Sequence, residues 1–132
     1  MDTAHSEKKR ILIIEDDTDE CDLMAEHFSR YFRISGFVDN YDELMHLIQP
    51  EQPPQLILTS LNLPRKNGLE ILQELKSNKN LQQIPVIIMS VSFPDFLKTQ
   101  AMQMGASACV DKPELYSNYA TFCKDIYNLT MQ

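Results

Sequence analysis

A chain of 132 residues, 43% hydrophobic and 23% charged, is expected to hold one domain with a sizeable core and no second one. Its net charge of −7 argues against the phosphate attraction that nucleic-acid binding requires. No apolar run approaches a membrane span, and the opening MDTAHSEKKR lacks the apolar stretch and cleavage site of a secretory signal, so a cytoplasmic protein is expected.

Residues 1–8 read as a frayed tail and residues 9–132 as the domain. ILII (11–14) is wholly apolar, as befits a strand buried on both faces. Asp17 with Glu20 three residues on predicts a capping box, and Leu23, Met24, His27, Phe28 and Tyr31 continue at helical spacing. FRISGFV (32–38) is the second strand. Asn40 caps a short helix, YDELMHLI, that ends before Pro50. LILTS (56–60) is the third strand and residues 64–68 a turn. GLEILQELKSN then carries its leucines and Ile71 on one helical face. PVIIMS (85–90) is the fourth strand, and a helix over about 94–104 ends at Gly105, a C-cap glycine. SACV (107–110) is the fifth strand. A last helix over about 117–128 buries Tyr119, Phe122, Cys123 and Ile126.

Five apolar strands alternating with amphipathic helices predict an α/β fold: a flavodoxin-like, doubly wound (βα)5 domain. Its five-stranded parallel sheet runs in the order 2-1-3-4-5 with helices on both faces. Functional groups in such sheets gather at the carboxyl ends of the strands. There the sequence places Glu15-Asp16-Asp17, then Ser60 and Asn62, then Ser90 and Ser92, then Lys112-Pro113. Taken singly these are helix-terminal charge, ordinary serines and a turn. Together on four strand ends they predict one pocket. Adjacent carboxylates with a backbone carbonyl suit Mg²⁺, and a lysine with a hydroxyl suits phosphoryl oxygens. Cys21, Cys109 and Cys123 fit no zinc spacing and read as small buried hydrophobes.

ILIIEDD, the LxLPxxxG run from Leu61 to Gly68, IPVIIMS and GASACVDKP (105–113) occur in this order. With them the chain resembles the receiver domain of bacterial response regulators over about residues 9–129, above all small stand-alone receivers. The resemblance implies a role in two-component phosphorelay signalling, with a histidine kinase or another signalling protein as partner. It implies Glu15 and Asp16 as the acidic pair, Asp16 ligating Mg²⁺ directly with the backbone carbonyl of Asn62. Ser90 would be the switch hydroxyl, Lys112 the pocket lysine, and the bond before Pro113 cis. It also implies binding, or homodimerisation, through the fourth helix, fifth strand and fifth helix, with Phe93, Phe96, Met102, Tyr116 and Tyr127 as contact residues.

Two positions depart from the family. Ser60 stands where a receiver carries its phospho-acceptor aspartate, and no acid occurs between Glu51 and Glu70. Cys109 replaces the usual switch aromatic. A serine hydroxyl is a weak nucleophile without a base, and His5, His27 and His46 are all remote from the pocket. The expectation is a pseudo-receiver: not an enzyme, weakened in Mg²⁺ binding, and acting by protein–protein contact. Lys112, deprived of its carboxylate at residue 60, is expected to turn toward Asp16 or Glu15. The alternatives are a receiver that accepts phosphate on Ser60, Thr59 or Asp16, and a small Mg²⁺-dependent phosphotransfer enzyme. The acidic first loop disfavours a flavin module.

Overall fold

The computed structural model describes residues 8–131; the predicted tail thus lies outside the described residues except for Lys8. Five strands, β1 (Arg10–Ile14), β2 (Arg33–Val38), β3 (Leu56–Ser60), β4 (Val86–Ser90) and β5 (Ala108–Asp111), form one sheet in the order β2-β1-β3-β4-β5. Every pairing is parallel. The helices are α1 (Thr18–Phe28), α2 (Tyr41–Leu47), α3 (Gly68–Lys76), α4 (Asp95–Gln103) and α5 (Tyr119–Thr130). A 3₁₀ turn, Tyr116–Asn118, leads into α5, which therefore starts two residues later than its pattern implied. None of the described helices is long and apolar enough to cross a membrane.

Strand alternation divides the core into two layers. Leu12, Ile14, Ile57, Val86 and Ile88 face a layer with Leu44 of α2, Ile71, Leu72 and Leu75 of α3, and Ala101 of α4. Ile11, Ile13, Leu56, Leu58, Ile87 and Met89 face Met24 and Phe28 of α1 and Tyr119, Phe122, Cys123 and Ile126 of α5. The inner strands read as continuous apolar runs because both sides are covered. β2 lies at an edge and is only partly buried. Its register against β1 shifts between Ile11 and Leu12, and Leu47 packs so closely that a Cβ on Gly36 would come within 2.5 Å of it.

The helix starts are set by short polar side chains that accept from first-turn amides. Asn67 and Glu70 form a complete capping box on α3, with bonds of 2.9 and 3.0 Å. Asn40 accepts from Glu43 N at 2.9 Å. On α1 only half of the predicted box exists: Asp17 accepts from Glu20 N at 3.0 Å, but Glu20 does not reach back. Gly105 has φ +106°, the left-handed conformation expected of a glycine that follows a helix.

Candidate functional site

β1, β3, β4 and β5 end at one rim, as parallel strands in register must. Ile14 pairs with Thr59, so Glu15 and Ser60, one residue further on, stand level. Ser60 pairs with Met89, and Ser90 with Asp111. Glu15, Ser60, Ser90 and Lys112 are all buried. Asp16 and Asn62 are exposed.

The rim is organised by charge. Lys112 Nζ lies 2.6 Å from Glu15 Oε1 and 3.0 Å from Glu20 Oε1. Glu15 Oε2 accepts the amides of Asp16 and Asp17 at 3.0 and 3.1 Å. Both Glu15 oxygens are thus engaged, as a buried carboxylate requires. Burial pushes the Glu15 carboxyl above its ordinary range, and the hydrogen bond and charge of Lys112 oppose this without cancelling it. For Lys112, burial alone would lower the pKa. The bonds to Glu15 and Glu20 and their charges outweigh burial and raise it, so the ammonium stays charged.

Lys112 therefore turns toward Glu15, one of the two acids anticipated, and not toward Asp16. Glu20 is its second partner and was read from sequence only as a capping residue. Tyr119 was read only as core, yet its hydroxyl donates to Glu20 Oε1 at 2.5 Å. Burial first, then that bond and the nearby acids, push the Tyr119 phenol strongly upward. The one sequence signal for Glu20 was its excess: the N-cap and first turn of α1 already held Asp17 and Asp19.

The hydroxyls of Ser90 and Thr59 are tied in place, and that of Ser60 is not. Ser90 Oγ donates to Ser92 O at 3.1 Å and accepts from Asn62 Nδ2 at 3.4 Å, so the side chain of Asn62 is placed on the Ser90 hydroxyl. Thr59 is fully buried, and its hydroxyl donates to Ser60 O at 3.1 Å. Among the described residues Ser60 Oγ has no hydrogen-bond partner. The loop after β3 closes tightly on it. Gly68 N donates to Leu61 O at 2.8 Å, and a Cβ on Gly68 would lie 2.6 Å from Ser60 O. Arg65, in that loop, takes φ +67°.

Three expectations are corrected. The peptide before Pro113 is trans, as are all described peptide bonds, in line with the ordinary preference of X–Pro bonds. Phe93 is a core residue, 7% exposed, because its side chain enters the layer under α4. Tyr127 stacks on Tyr31, in the turn after α1, ring centroids 4.8 Å apart. Phe96, Met102 and Tyr116 are exposed, Phe96 by 71%. Cys109 is half-buried in β5, its Sγ 4.0 Å from Lys98 O, and burial raises its thiol pKa.

Among the described residues, the donors available to a divalent ion are the carboxylate of Asp16, which none of them engages, and backbone carbonyls. Both Glu15 oxygens are occupied, and residue 60 offers a neutral hydroxyl. Mg²⁺ is held through carboxylates and retained waters, so this set, with one free acid and an ammonium beside it, fits a resident ion poorly.

Acids after β1, hydroxyls at the ends of β3 and β4 and a lysine after β5 stand at one rim of a parallel sheet of the flavodoxin-like class. The chain belongs to the response regulator receiver domain family, whose model matches residues 11–119, and so to two-component signalling. It is 26% identical over 110 residues to the probable chemotaxis protein CheY of Rhizobium etli, covering 82% of this chain and 84% of that one. It is 28% identical over 108 residues to hybrid signal transduction histidine kinase D of Dictyostelium discoideum, where it covers 80% of this chain and spans only 7% of the relative. Among solved structures, the phosphorylated cyanobacterial phytochrome response regulator RcpA superposes with a TM-score of 0.82 at 26% identity, covering 94% of each chain.

Proposed function

We propose that this receiver is a pseudo-receiver that acts by binding a signalling protein, without accepting a phosphoryl group at residue 60. The observation that carries the reading is the pairing of Lys112 with Glu15 at 2.6 Å beside a serine at the end of β3. A receiver's acceptor must be an ionised acid, because a carboxylate attacks phosphohistidine directly and yields a reactive acyl phosphate. Ser60 needs a base. His27 lies in the last turn of α1 and His46 in the last turn of α2, far along their helices from the rim. Thr59 has its hydroxyl committed to Ser60 O. Asp16 is the remaining free acid, and its place after β1 suits a metal ligand better than an acceptor.

Mg²⁺ binding is weakened in this reading. Loss of one anion about 4 Å from a divalent ion removes on the order of 4 kcal/mol per unit charge at an effective dielectric of ~20, an upper bound. With neither acceptor nor resident ion, the domain is not an enzyme. Its partner is a histidine kinase or another cytoplasmic signalling protein. The exposed apolar residues of the α4–β5–α5 side, Phe96, Met102 and Tyr116, are the contact candidates and also serve for a homodimer.

The test is incubation with a small phosphodonor and Mg²⁺, followed by intact-mass measurement. No gain of a phosphoryl group is expected; a stoichiometric gain defeats the reading.

A further inference from the structure

Glu20 stands in the first turn of α1, but its side chain serves neither the helix terminus nor solvent. Oε1 lies 3.0 Å from Lys112 Nζ and accepts the Tyr119 hydroxyl at 2.5 Å. Tyr119 comes from α5 and is 1% exposed, its ring packed edge-on against Phe122 with centroids 5.5 Å apart. A phenol fixed in this way fixes the carboxylate it holds. Glu15 accepts a hydrogen bond from the ammonium at 2.6 Å, and Glu20 forms an ion pair with it at 3.0 Å. Both acids lie on the β1–α1 side of the rim. To leave that side, Lys112 must give up a charge-assisted hydrogen bond to Glu15 and an ion pair with Glu20 in a buried setting.

We propose that Glu20 is a positioning residue for Lys112. Held by Tyr119, it retains the ammonium on the β1–α1 side, so an acid at position 60 does not by itself draw Lys112 across the pocket. This rests on the reading of residue 60 as a missing acceptor and adds a second barrier to it: the lysine that would neutralise an incoming phosphoryl group is already bound.

The experiment compares Ser60→Asp with Ser60→Asp/Glu20→Gln, each treated with phosphoramidate and Mg²⁺ and followed by intact mass. In the transfer, the introduced carboxylate forms a P–O bond while the P–N bond of the zwitterionic donor breaks and ammonia leaves. The double variant is expected to gain the phosphoryl group about tenfold faster or more. Equal rates, or no transfer to either, overturn the proposal. A second readout separates positioning from a purely structural role. In Glu20→Gln alone, the titration of Lys112 followed at its ¹³Cε resonance shifts to lower pH than in the unaltered chain; an unchanged titration overturns the proposal. The unaltered chain run alongside keeps the two readings apart. Phosphoryl gain there defeats the missing-acceptor reading, while the Lys112 titration continues to report on Glu20.

Discussion

Lys112 and Glu15, 97 residues apart in the chain, meet at 2.6 Å with side chains 6% and 2% exposed. The pair joins the end of β5 to the end of β1, and Glu20 and Tyr119 extend it to α1 and α5. A buried ion pair of this kind is costly to break on one side, because the remaining charge stays in the core without its partner.

Lys112→Met is therefore expected to destabilise the domain by about 3–5 kcal/mol. Glu15→Gln/Lys112→Met is expected to lose less than the sum of the two single losses, since Gln retains a carbonyl oxygen for the amides of Asp16 and Asp17. Urea unfolding of the three variants measures both. Additive losses would show that the two side chains are not coupled.

Alkaline pH should weaken the fold. The Lys112 pKa is raised from 10.5, so its contribution is complete below that value and is lost as pH rises through the raised one. Burial pushes the Cys123 thiol from 9.0 to about 12, and the Tyr119 phenol is also held above its ordinary 10.0. The unfolded chain loses these protons first, so the folded state binds more protons and stability falls as pH rises above about 9. Urea midpoints between neutral pH and about pH 11 test this, and Tyr119→Phe should flatten the decline.

Ser60→Asp should act in opposite directions with and without metal. The new carboxylate, at a position 2% exposed and level with Glu15, lowers stability in chelator through desolvation and like charge. It also supplies the second free acid that Mg²⁺ needs, so affinity rises about tenfold or more. Thermal melts with EDTA and with Mg²⁺, alongside calorimetric titration, read both effects. Unchanged Mg²⁺ affinity would mean that residue 60 does not face the ion site.

Gly68→Ala should cost about 1–3 kcal/mol by overpacking. The added methyl meets the backbone of the rim itself, at 2.6 Å from Ser60 O and 2.9 Å from Leu61 Cα, and backbone cannot turn aside as a flexible side chain can. A thermal melt gives the magnitude, and amide shifts of Ser60 and Leu61 report the displacement. An unchanged melting temperature would contradict the close approach.

The element order was legible because buried parallel strands are short apolar runs and the helices carry one-sided patterns. LILTS and β3 coincide, and the other boundaries differ by one or two residues where capping or a 3₁₀ turn decides the end. That Glu15, Ser60, Ser90 and Lys112 come together at one rim was legible from their places at the strand ends. Asp16 and Asn62 were placed at the rim, but the side-chain contact of Asn62 with Ser90 was not anticipated. Phe93 packs into the core because an aromatic just before a helix gives no sign of which way it turns, whereas Tyr127, inside α5 and four residues after the buried Cys123, stacks on Tyr31.

Sequence alone sufficed for whatever depends on local pattern: the alternation of strands and helices, the caps at Asn40 and Asn67, and the absence of an acid at the end of the third strand. Which acid would hold Lys112, that Glu20 would leave its helix terminus to join it, and that Tyr119 would anchor Glu20 from 99 residues away were decided only by the fold. Hydrophobic periodicity is a property of neighbours along the chain. The partner of a buried charge is chosen by which groups the packed core brings within about 3 Å and leaves without water.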